Sequence, residues 1–578
     1  MKLSKKFIAG ISAFTIISAA AVAQDFDFGG DSGFDSSYAE DSEPAVVISG
    51  KAEANARVYP QRDNSGFDTH DYGLDMNSLQ NKAVSADPSL SLGIDYTGAF
   101  TDFSGKLKFD ESILKNYTED IVQEFTARAY VGNLQLEAGK MKLVWGKGDK
   151  VHVLDNFNSN DYTDFIIPDY IDRRLGLPMF HAVYNIPSES CLRLEAVYTP
   201  YMVADRLDSY GMWKPAKVAQ LEDTIRGMIT EELTASIVAA AGNSTAIPGA
   251  FSGLMNAAAF DASSIYPDTK TLKYGQAGLR GTFTLGSVDL GFSGYYGHYK
   301  QPSANLQNTI IYKALHTSLS TEGYTAELTD SKAFGLAYQA AIQKAAAAGQ
   351  DVTQAAVQSA VQAQVAAQLT PLHAAYSSAY AGLPSVDYDF LYVFGLEGAT
   401  VIGPFNTRAE LAFNLTNDIK GDDPWVHNNS IAWEAGFDIN LPVHNMNLNA
   451  QTTGKFILGK DKIKNGGIDV EGLGLIHWDT LGTNYDVDYD NTGKYMRNQV
   501  IVDITDNWCY EKIKLDLKGI YQIETQDLMV LPTLTFILAD TFELNLSGLY
   551  IWCGDEEESE YYAWRNNDYF SIGCKYQF

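Results

Sequence analysis

The residues with the clearest capacity for chemistry in this sequence are charged, and they gather around one segment. Residues 146–176 carry six aspartates followed by two adjacent arginines, and basic residues recur along the chain just before this segment. Carboxylates held opposite cations can bind ions or sort charged solutes by electrostatics. These residues are Asp149, Asp155, Asp161, Asp164, Asp169, Asp172, Arg173 and Arg174 within the segment, and Lys106, Lys108, Arg128, Lys140 and Lys142 before it.

Sequence motifs for covalent or metal chemistry are not found. The nine histidines show no HExxH or other metal-ligand spacing, and the sequence has no GxSxG, P-loop or dinucleotide fingerprint in a strand–helix context. The four cysteines are too widely spaced for a CxxC site. The run Asp486–Asn491 resembles the start of a calcium-binding loop, but the glycine and glutamate that should follow are missing. We expect no catalytic residue and no cofactor, and we leave calcium binding in that run open.

Length and charge exclude several classes of protein. The chain has 578 residues, whereas one soluble domain rarely exceeds about 250–300. Acidic residues outnumber basic ones by 72 to 42, which argues against nucleic acid as a partner. Beyond the N-terminus no apolar run reaches the roughly 18 residues of a membrane-spanning helix. Two classes of protein remain: a multidomain soluble protein, and a long β-sheet protein in which polar and apolar residues alternate.

The N-terminus has the features of an export signal. Lysines among residues 2–6 precede an apolar run, which ends in the A-x-A pattern at Ala23. We predict that residues 1–23 form a cleaved signal peptide, although a retained anchor is an alternative. Residues 24–45 are acidic and lack lysine and arginine, so they are predicted to be a disordered tether. A peptide that docks into a pore or onto a partner through its phenylalanines is the alternative for this stretch.

From residue 46 onward the recurring pattern is alternation of apolar and polar residues, which predicts β-strands. In segment 427–441, for example, Ile431, Trp433 and Ala435 alternate with polar neighbours. Most segments are close to the roughly 9–11 residues of a tilted membrane strand. Eighteen such segments occur, near 46–59, 89–100, 103–109, 121–131, 133–145, 177–186, 190–199, 274–285, 287–298, 388–401, 404–416, 427–441, 446–458, 495–506, 509–522, 527–538, 541–553 and 568–578.

The connections between these segments alternate between short turns and mostly longer loops. This rhythm is typical of a transmembrane antiparallel β-barrel with an even strand number and both termini at one end. We therefore predict an all-β barrel of about 18 strands (16–18) over residues 46–578; a soluble sandwich or β-helix would not need the rhythm. Aromatic residues near strand ends are expected to form interfacial girdles: Trp145, Tyr198, Tyr296, Tyr521, Tyr550, Trp552 and Tyr576.

Two stretches carry a resemblance to a known group. The last strand, YFSIGCKYQF, with Phe570, Tyr576 and the terminal Phe578, resembles the C-terminal assembly signal of Gram-negative outer-membrane proteins. Residues 139–165, in which a WG-containing strand leads into an Asn/Asp-rich loop, resemble large porin-like barrels, including alginate-export-type channels. The resemblance implies an eighteen-stranded passive channel in the cell outer membrane, with outer-membrane lipids and the barrel-assembly machinery as partners.

Sorting the charges by strand face predicts an aqueous lumen. Basic and acidic residues nearly balance on the predicted inner face, and eighteen strands enclose more volume than side chains fill. If residues 146–176 fold inward, their aspartates would face the basic wall residues across a constriction; the alternative is an ordinary solvated loop. In this scheme Lys140 and Lys142 face inward only if a bulge at Gly139 switches the face, which turns Met141 and Trp145 outward.

The expected function is passive diffusion of small hydrophilic solutes through an outer-membrane channel. Helical insertions are predicted in the loops at about 200–273 and 299–387, with helices near 216–241, 328–348 and 352–369. An adhesin or enzyme that works through these loops is one alternative. A transporter of hydrophobic substrates is another, although it would need an apolar lumen. The sequence specifies neither the solute nor the oligomeric state.

Overall fold

A computed structural model describes most of the chain beyond the N-terminal region and the longest connections. The described residues are 45–61, 84–164, 171–207, 212–213, 266–305, 341–361, 363, 385–423, 426–470, 474–477, 496–554, 559 and 561–578. Among them, no helix is long and apolar enough to cross a membrane. The predicted signal peptide, nearly all of the tether, the helix at 216–241, Asp169 and the run Asp486–Asn491 lie outside the described residues.

Eighteen antiparallel strands form one sheet, in which each strand pairs with its neighbours in the chain. The strands are β1 (Ala45–Val58), β2 (Val84–Thr97), β3 (Thr101–Phe109), β4 (Val122–Val131), β5 (Leu134–Met141), β6 (Leu177–Asn185), β7 (Arg193–Thr199), β8 (Gln276–Leu285), β9 (Val288–His298), β10 (Phe390–Ile402), β11 (Phe405–Leu415), β12 (Ser430–Asn440), β13 (Asn447–Ile457), β14 (Met496–Trp508), β15 (Ile513–Gln522), β16 (Leu528–Ala539), β17 (Phe542–Trp552) and β18 (Tyr569–Gln577).

The sheet closes on itself, because β18 pairs antiparallel with β1 from Lys51 opposite Gln577 to Val58 opposite Phe570. Beyond this ladder, the backbone N–H of Gly50 donates to the carbonyl of Phe578 at 2.8 Å, and the reciprocal bond is 2.9 Å. Closure leaves no unpaired edge in the sheet. The predicted all-β barrel is confirmed, with a strand count of eighteen.

The two faces of the barrel differ in the way that period-two alternation requires. Along β11, Leu411 and Phe413 are exposed on the outside, whereas Glu410 and Ala412, which alternate with them, are buried on the inside. The aromatic residues Tyr198, Tyr296, Tyr521, Tyr550, Trp552 and Tyr576 are likewise exposed, as predicted. Trp145 is not: its side chain is 1% exposed and packs inside the barrel, so its predicted place in the girdle was wrong.

All eighteen predicted segments correspond to strands, with boundaries that shift by a few residues. The largest shift is at β2, which begins at Val84 and not at residue 89; β1 already includes Ala45, the last residue of the predicted tether. Tight turns at Gly132, Gly286 and Gly403 have φ of 60°, 65° and 61°. Glycine adopts this conformation without a steric penalty, which is why it marks short hairpins.

Short elements occur in the connections. Residues 341–347 and 355–361 are helical and pack together through Ala345 and Val361, within the predicted insertion at 299–387. Gly349, with φ of 78°, lies just after the first of these helices, as a C-terminal stop requires. Among the described residues, the remaining short elements are two hairpins (Ser303–Asn305 with Ser385–Asp387, Gly467–Val470 with Gly474–His477) and the helical turns Glu111–Asn116, Thr118–Asp120, Leu272–Tyr274, Lys460–Asn465 and Tyr562–Trp564.

Candidate channel and constriction

The connection between β5 and β6, residues 142–176 (the third loop), folds into the barrel in its described parts, 142–164 and 171–176. Its Trp145 and Phe157 rings meet edge to face at 5.0 Å, and Phe157 meets the inward Tyr295 ring of β9 at 5.1 Å. Burial of apolar surface against the wall stabilises this position. The buried cluster contains Met141, Trp145, Leu154, Phe157, Leu177, Met179, Val197, Tyr295, Leu391, Val393, Ala412 and Ala432.

One glycine makes room for this contact. A Cβ added at Gly278 of β8 would lie 2.7 Å from the Trp145 ring and 2.8 Å from the Phe157 ring. Both distances are shorter than van der Waals contact, so any side chain at position 278 would displace the aromatic pair. The wall of β8 is therefore shaped to receive the third loop.

A single wall carboxylate holds the tip of the third loop. Oε1 of Glu410 accepts hydrogen bonds from the backbone N–H of Gly148 at 2.6 Å and from Nδ1 of His152 at 2.9 Å. Oε2 accepts from the backbone N–H groups of Val153 and Leu154 at 2.8 and 3.2 Å. The Glu410 side chain is fully buried. Hydrogen bonds to a charged, buried acceptor are among the strong ones, so Glu410 acts as a clamp on the loop.

Further contacts show how far the third loop reaches. The Lys150 ammonium lies 2.9 Å from Asp503 of β14, and its backbone N–H donates to Gln451 of β13 at 2.7 Å. Asp149 accepts a hydrogen bond from Asn449. Toward the other end of the loop, Asp164 pairs with Arg57 of β1 at 2.7 Å. The loop thus begins at β5 and contacts wall residues as far round as β14, and it is not a solvated outer loop.

The basic wall residues are paired within the wall. Lys106 of β3 lies 3.1 Å from Glu124 of β4, and Lys108 lies 3.2 Å from Asp110. Arg128 lies 2.5 Å from Glu137 of β5. The predicted basic patch opposite the loop aspartates stays a prediction. Each of these three cations already lies beside a carboxylate, on a neighbouring strand or, for Lys108, in the connection after β3.

Lys140 does not face the lumen in the way the sequence suggested. Gly139 has an unusual φ of 144°, but the ladder between β4 and β5 runs without a register shift and pairs Lys140 with the outward-facing Phe125. Lys140 reaches Asp120 at 2.8 Å in the connection before β4. Met141 stays buried inside, so the predicted switch of faces at Gly139 was wrong. Lys142 donates to the carbonyl of Ile171 within the third loop at 3.2 Å.

The charged residues of the third loop have different environments. Asp155 and Arg174 form an ion pair whose side chains are buried, so they cannot line an aqueous passage as expected. Asp161 pairs with Arg206 at 2.8 Å, in the connection after β7. Arg173 lies over the ring of Tyr162. These contacts stabilise the loop itself, whereas Asp149, whose side chain is 40% exposed, remains in contact with water.

A second apolar cluster lies on the inner wall of β16–β18. Trp213, from the connection after β7, meets Trp564 edge to face at 6.0 Å, and Asn567 donates to the carbonyl of Met212 at 2.8 Å. The inward residues Met529, Leu549, Ile551 and Tyr569 complete the cluster with Tyr59 and Tyr561. The inner face is therefore less uniformly polar than the sequence predicted, because loop residues cover its apolar parts.

Glu410, Gly278 and His152 are the site residues that the sequence did not single out. The alternation places Glu410 on the inner face, among many other charged residues of the barrel. Its role depends on four donors that lie more than 250 positions away in the chain. No local pattern encodes such a contact, although a glycine-rich WGKG segment after a strand is a signal for a close backbone approach.

His152 should make the clamp sensitive to pH. Burial lowers its pKa, but the hydrogen bond and charge of Glu410 outweigh burial and raise the pKa above its ordinary value. Because the folded-state pKa is raised, protonated His152 contributes its full stabilisation of the clamp below about pH 6.5. This contribution is lost as pH rises through the folded-state pKa. We expect open-channel current noise to increase as pH rises above about 6.5, and His152→Gln to abolish the increase. An unchanged pH profile in His152→Gln would contradict this role.

Comparisons with known proteins yield distant structural similarity. The sequence matches no protein-family model and no curated protein. A mutant of the Rh. blastica porin is similar over 92% of this chain and 100% of that chain, with 8% identity and a TM-score of 0.34. One structure of OpdO from Pseudomonas aeruginosa is similar over 93% of this chain and 96% of that chain, with 8% identity and a TM-score of 0.38. A second OpdO structure is similar over 92% of this chain and 95% of that chain, with 8% identity and a TM-score of 0.39.

Proposed function

We propose that this protein is an outer-membrane channel for the passive diffusion of small hydrophilic solutes, and that the third loop forms its constriction. The observation that carries the proposal is the closed barrel with exposed apolar side chains outside and charged side chains inside. Such an outer surface suits lipid, whereas the inner charges would be costly without water. The barrel's role is steric and electrostatic, so a channel fits better than an enzyme.

The third loop supports the proposal because it narrows the interior without filling it. It is fixed to the wall by an apolar anchor, the Glu410 clamp and the Asp164–Arg57 ion pair. Several wall cations remain partly exposed to solvent despite the loop; the Lys106 and Lys108 side chains are 41% and 42% exposed. Water therefore reaches the wall of β3 beside the loop. Solutes that pass must fit this remaining space.

Reconstitution into a planar bilayer tests the proposal. We expect discrete conductance steps and slower proteoliposome uptake of neutral solutes as their size increases. A heat-modifiable β species in outer-membrane fractions, with a mature chain starting near Gln24, is expected from the export signal. Electrical silence in repeated reconstitutions, combined with hydrolysis of lipid or peptide, would move the assignment to an enzyme on a barrel scaffold. Uptake of apolar solutes alone would favour the hydrophobic-substrate alternative.

We further propose that the terminal strand is the signal for barrel-assembly machinery. Phe570, Tyr576 and Phe578 lie on the outside, with exposed fractions of 72%, 43% and 42%. Deleting Phe578 removes two backbone hydrogen bonds to Gly50 and one outward aromatic ring. We expect a several-fold lower yield of heat-modifiable barrel in cells, while Tyr550→Ala, at an exposed aromatic of β17, leaves the yield nearly unchanged. Equal yields would remove the assembly role from the terminal residue.

A further inference from the structure

The ion pairs of the inner wall fall into two groups by exposure. One group lies on β6–β10 and is sealed from water: side-chain exposure is 10% for Arg280 and 2% for Glu397, and 5% for His181 and 4% for Glu195. Arg280 also donates to the carbonyl of Gly146, within the loop. The loop therefore covers this part of the wall, on β6–β10, and leaves little room there for solutes.

The solvated pairs lie on the other side. Seven described cations there have side chains 23–42% exposed, and each lies 2.5–3.2 Å from a carboxylate. Their strands, or their partners' strands, are β14, β15, β17, β18, β1 and β3–β5. This side is the solvated lane. Its ion pairs are Lys51–Glu53, Lys106–Glu124, Lys108–Asp110, Arg128–Glu137, Lys150–Asp503, Lys518–Asp516 and Lys575–Glu543.

We propose that the solvated lane is electroneutral and that the channel serves hydrophilic solutes without net charge, both neutral and zwitterionic. This inference rests on the proposed channel function and specifies its substrate class. The chain as a whole has a net charge of −30, which by itself would predict a channel that attracts cations. The seven cations of the lane do not contribute to this excess, because each is matched by an adjacent carboxylate.

The pairing of opposite charges controls ion selectivity because it shortens the distance over which each charge acts. Opposite charges about 3 Å apart form a dipole, and its field fades within a few ångströms, whereas an unpaired charge acts over a Debye length of about 8–10 Å at 0.1–0.15 M salt. Acids in the outer connections beyond that distance have little effect on the lane. A zwitterion can interact with adjacent plus and minus charges together, whereas a net ion meets each charge of the seven pairs beside its opposite.

Reversal potentials across a KCl gradient near 0.1 M test the inference. We expect the K⁺/Cl⁻ permeability ratio of the wild type to lie within about twofold of one. Lys106→Met leaves Glu124 unpaired and should shift the ratio toward cations, whereas Glu124→Gln should shift it toward anions. The double variant should return toward the wild-type ratio. Lys270→Met is the matched control, since Lys270 pairs with Glu119 at 3.4 Å in the outer connections.

Solute uptake completes the experiment. Proteoliposomes should take up a neutral sugar and a zwitterionic amino acid faster than an anionic sugar acid of similar size. Marked cation selectivity of the wild type near 0.1 M salt would overturn the inference, as would equal shifts in Lys106→Met and Lys270→Met. Absence of any conductance is a different result, because it would remove the proposed channel function itself.

Discussion

Replacing Glu410 with alanine is expected to release the tip of the third loop and to raise both single-channel conductance and current noise. The variant leaves three backbone N–H groups and the His152 imidazole without their acceptor. Each buried donor left unsatisfied costs about 1–3 kcal/mol, so the loss of the shared acceptor favours release of the tip. The released donors can regain hydrogen bonds only by moving into water.

The control for Glu410→Ala must remove a wall carboxylate without touching the loop. Glu53→Ala does this, because Glu53 pairs with its neighbour Lys51 at 3.0 Å on β1. Both variants delete one negative charge, so a change in ion selectivity that they share reflects the lost charge. A change in conductance found only in Glu410→Ala reflects a change in the position of the loop. If both variants keep the wild-type conductance and noise, Glu410 is not the residue that positions the constriction.

The barrel was predictable because alternation along a strand is local information. In β11, for example, apolar and polar residues alternate over the full strand, and one face can only suit lipid while the other suits water. Tight turns carried their own signal in glycines such as Gly132 and Gly286, whose positive φ the turn requires. Counting such segments gives eighteen strands. Closure is expected because the sequence provides no feature that would protect an unpaired edge strand.

The constriction was only partly predictable, because its contacts join residues far apart in the chain. Inward folding of residues 146–176 was one of two interpretations, and its support came from charge and from the resemblance to porin-like barrels. The structure attaches the loop mainly through Trp145 and Phe157, which the alternation had assigned to the membrane interface or left without a role. The first part of β10 is apolar on both faces, since Leu391 and Val393 point inward to receive the loop. Local alternation cannot distinguish a lipid-facing residue from one that a loop covers.

Replacing Gly278 with leucine is expected to displace the third loop from its apolar anchor while leaving every wall charge in place. A Cβ at this position would already lie 2.7 Å from the Trp145 ring, and the rest of the leucine side chain needs space that Trp145 and Phe157 fill. Overpacking typically costs about 1–3 kcal/mol, which the structure can relieve by moving the loop away from the wall. Conductance should therefore rise without a shift in the K⁺/Cl⁻ permeability ratio.

Gly294→Leu is the matched control, because it lies on the adjacent strand β9 and faces outward, where an added Cβ has no atom within 4 Å. Both variants place leucine at a strand glycine of the same barrel, so a general loss of folding would affect the heat-modifiable species of both. The conductance of the double variant Gly278→Leu with Glu410→Ala should be close to that of either single variant. Once one substitution has released the loop from the wall, the other has no remaining contact to break. Fully additive increases in conductance would mean that the clamp and the apolar anchor hold separate structures, and the third loop would then not move as one constriction.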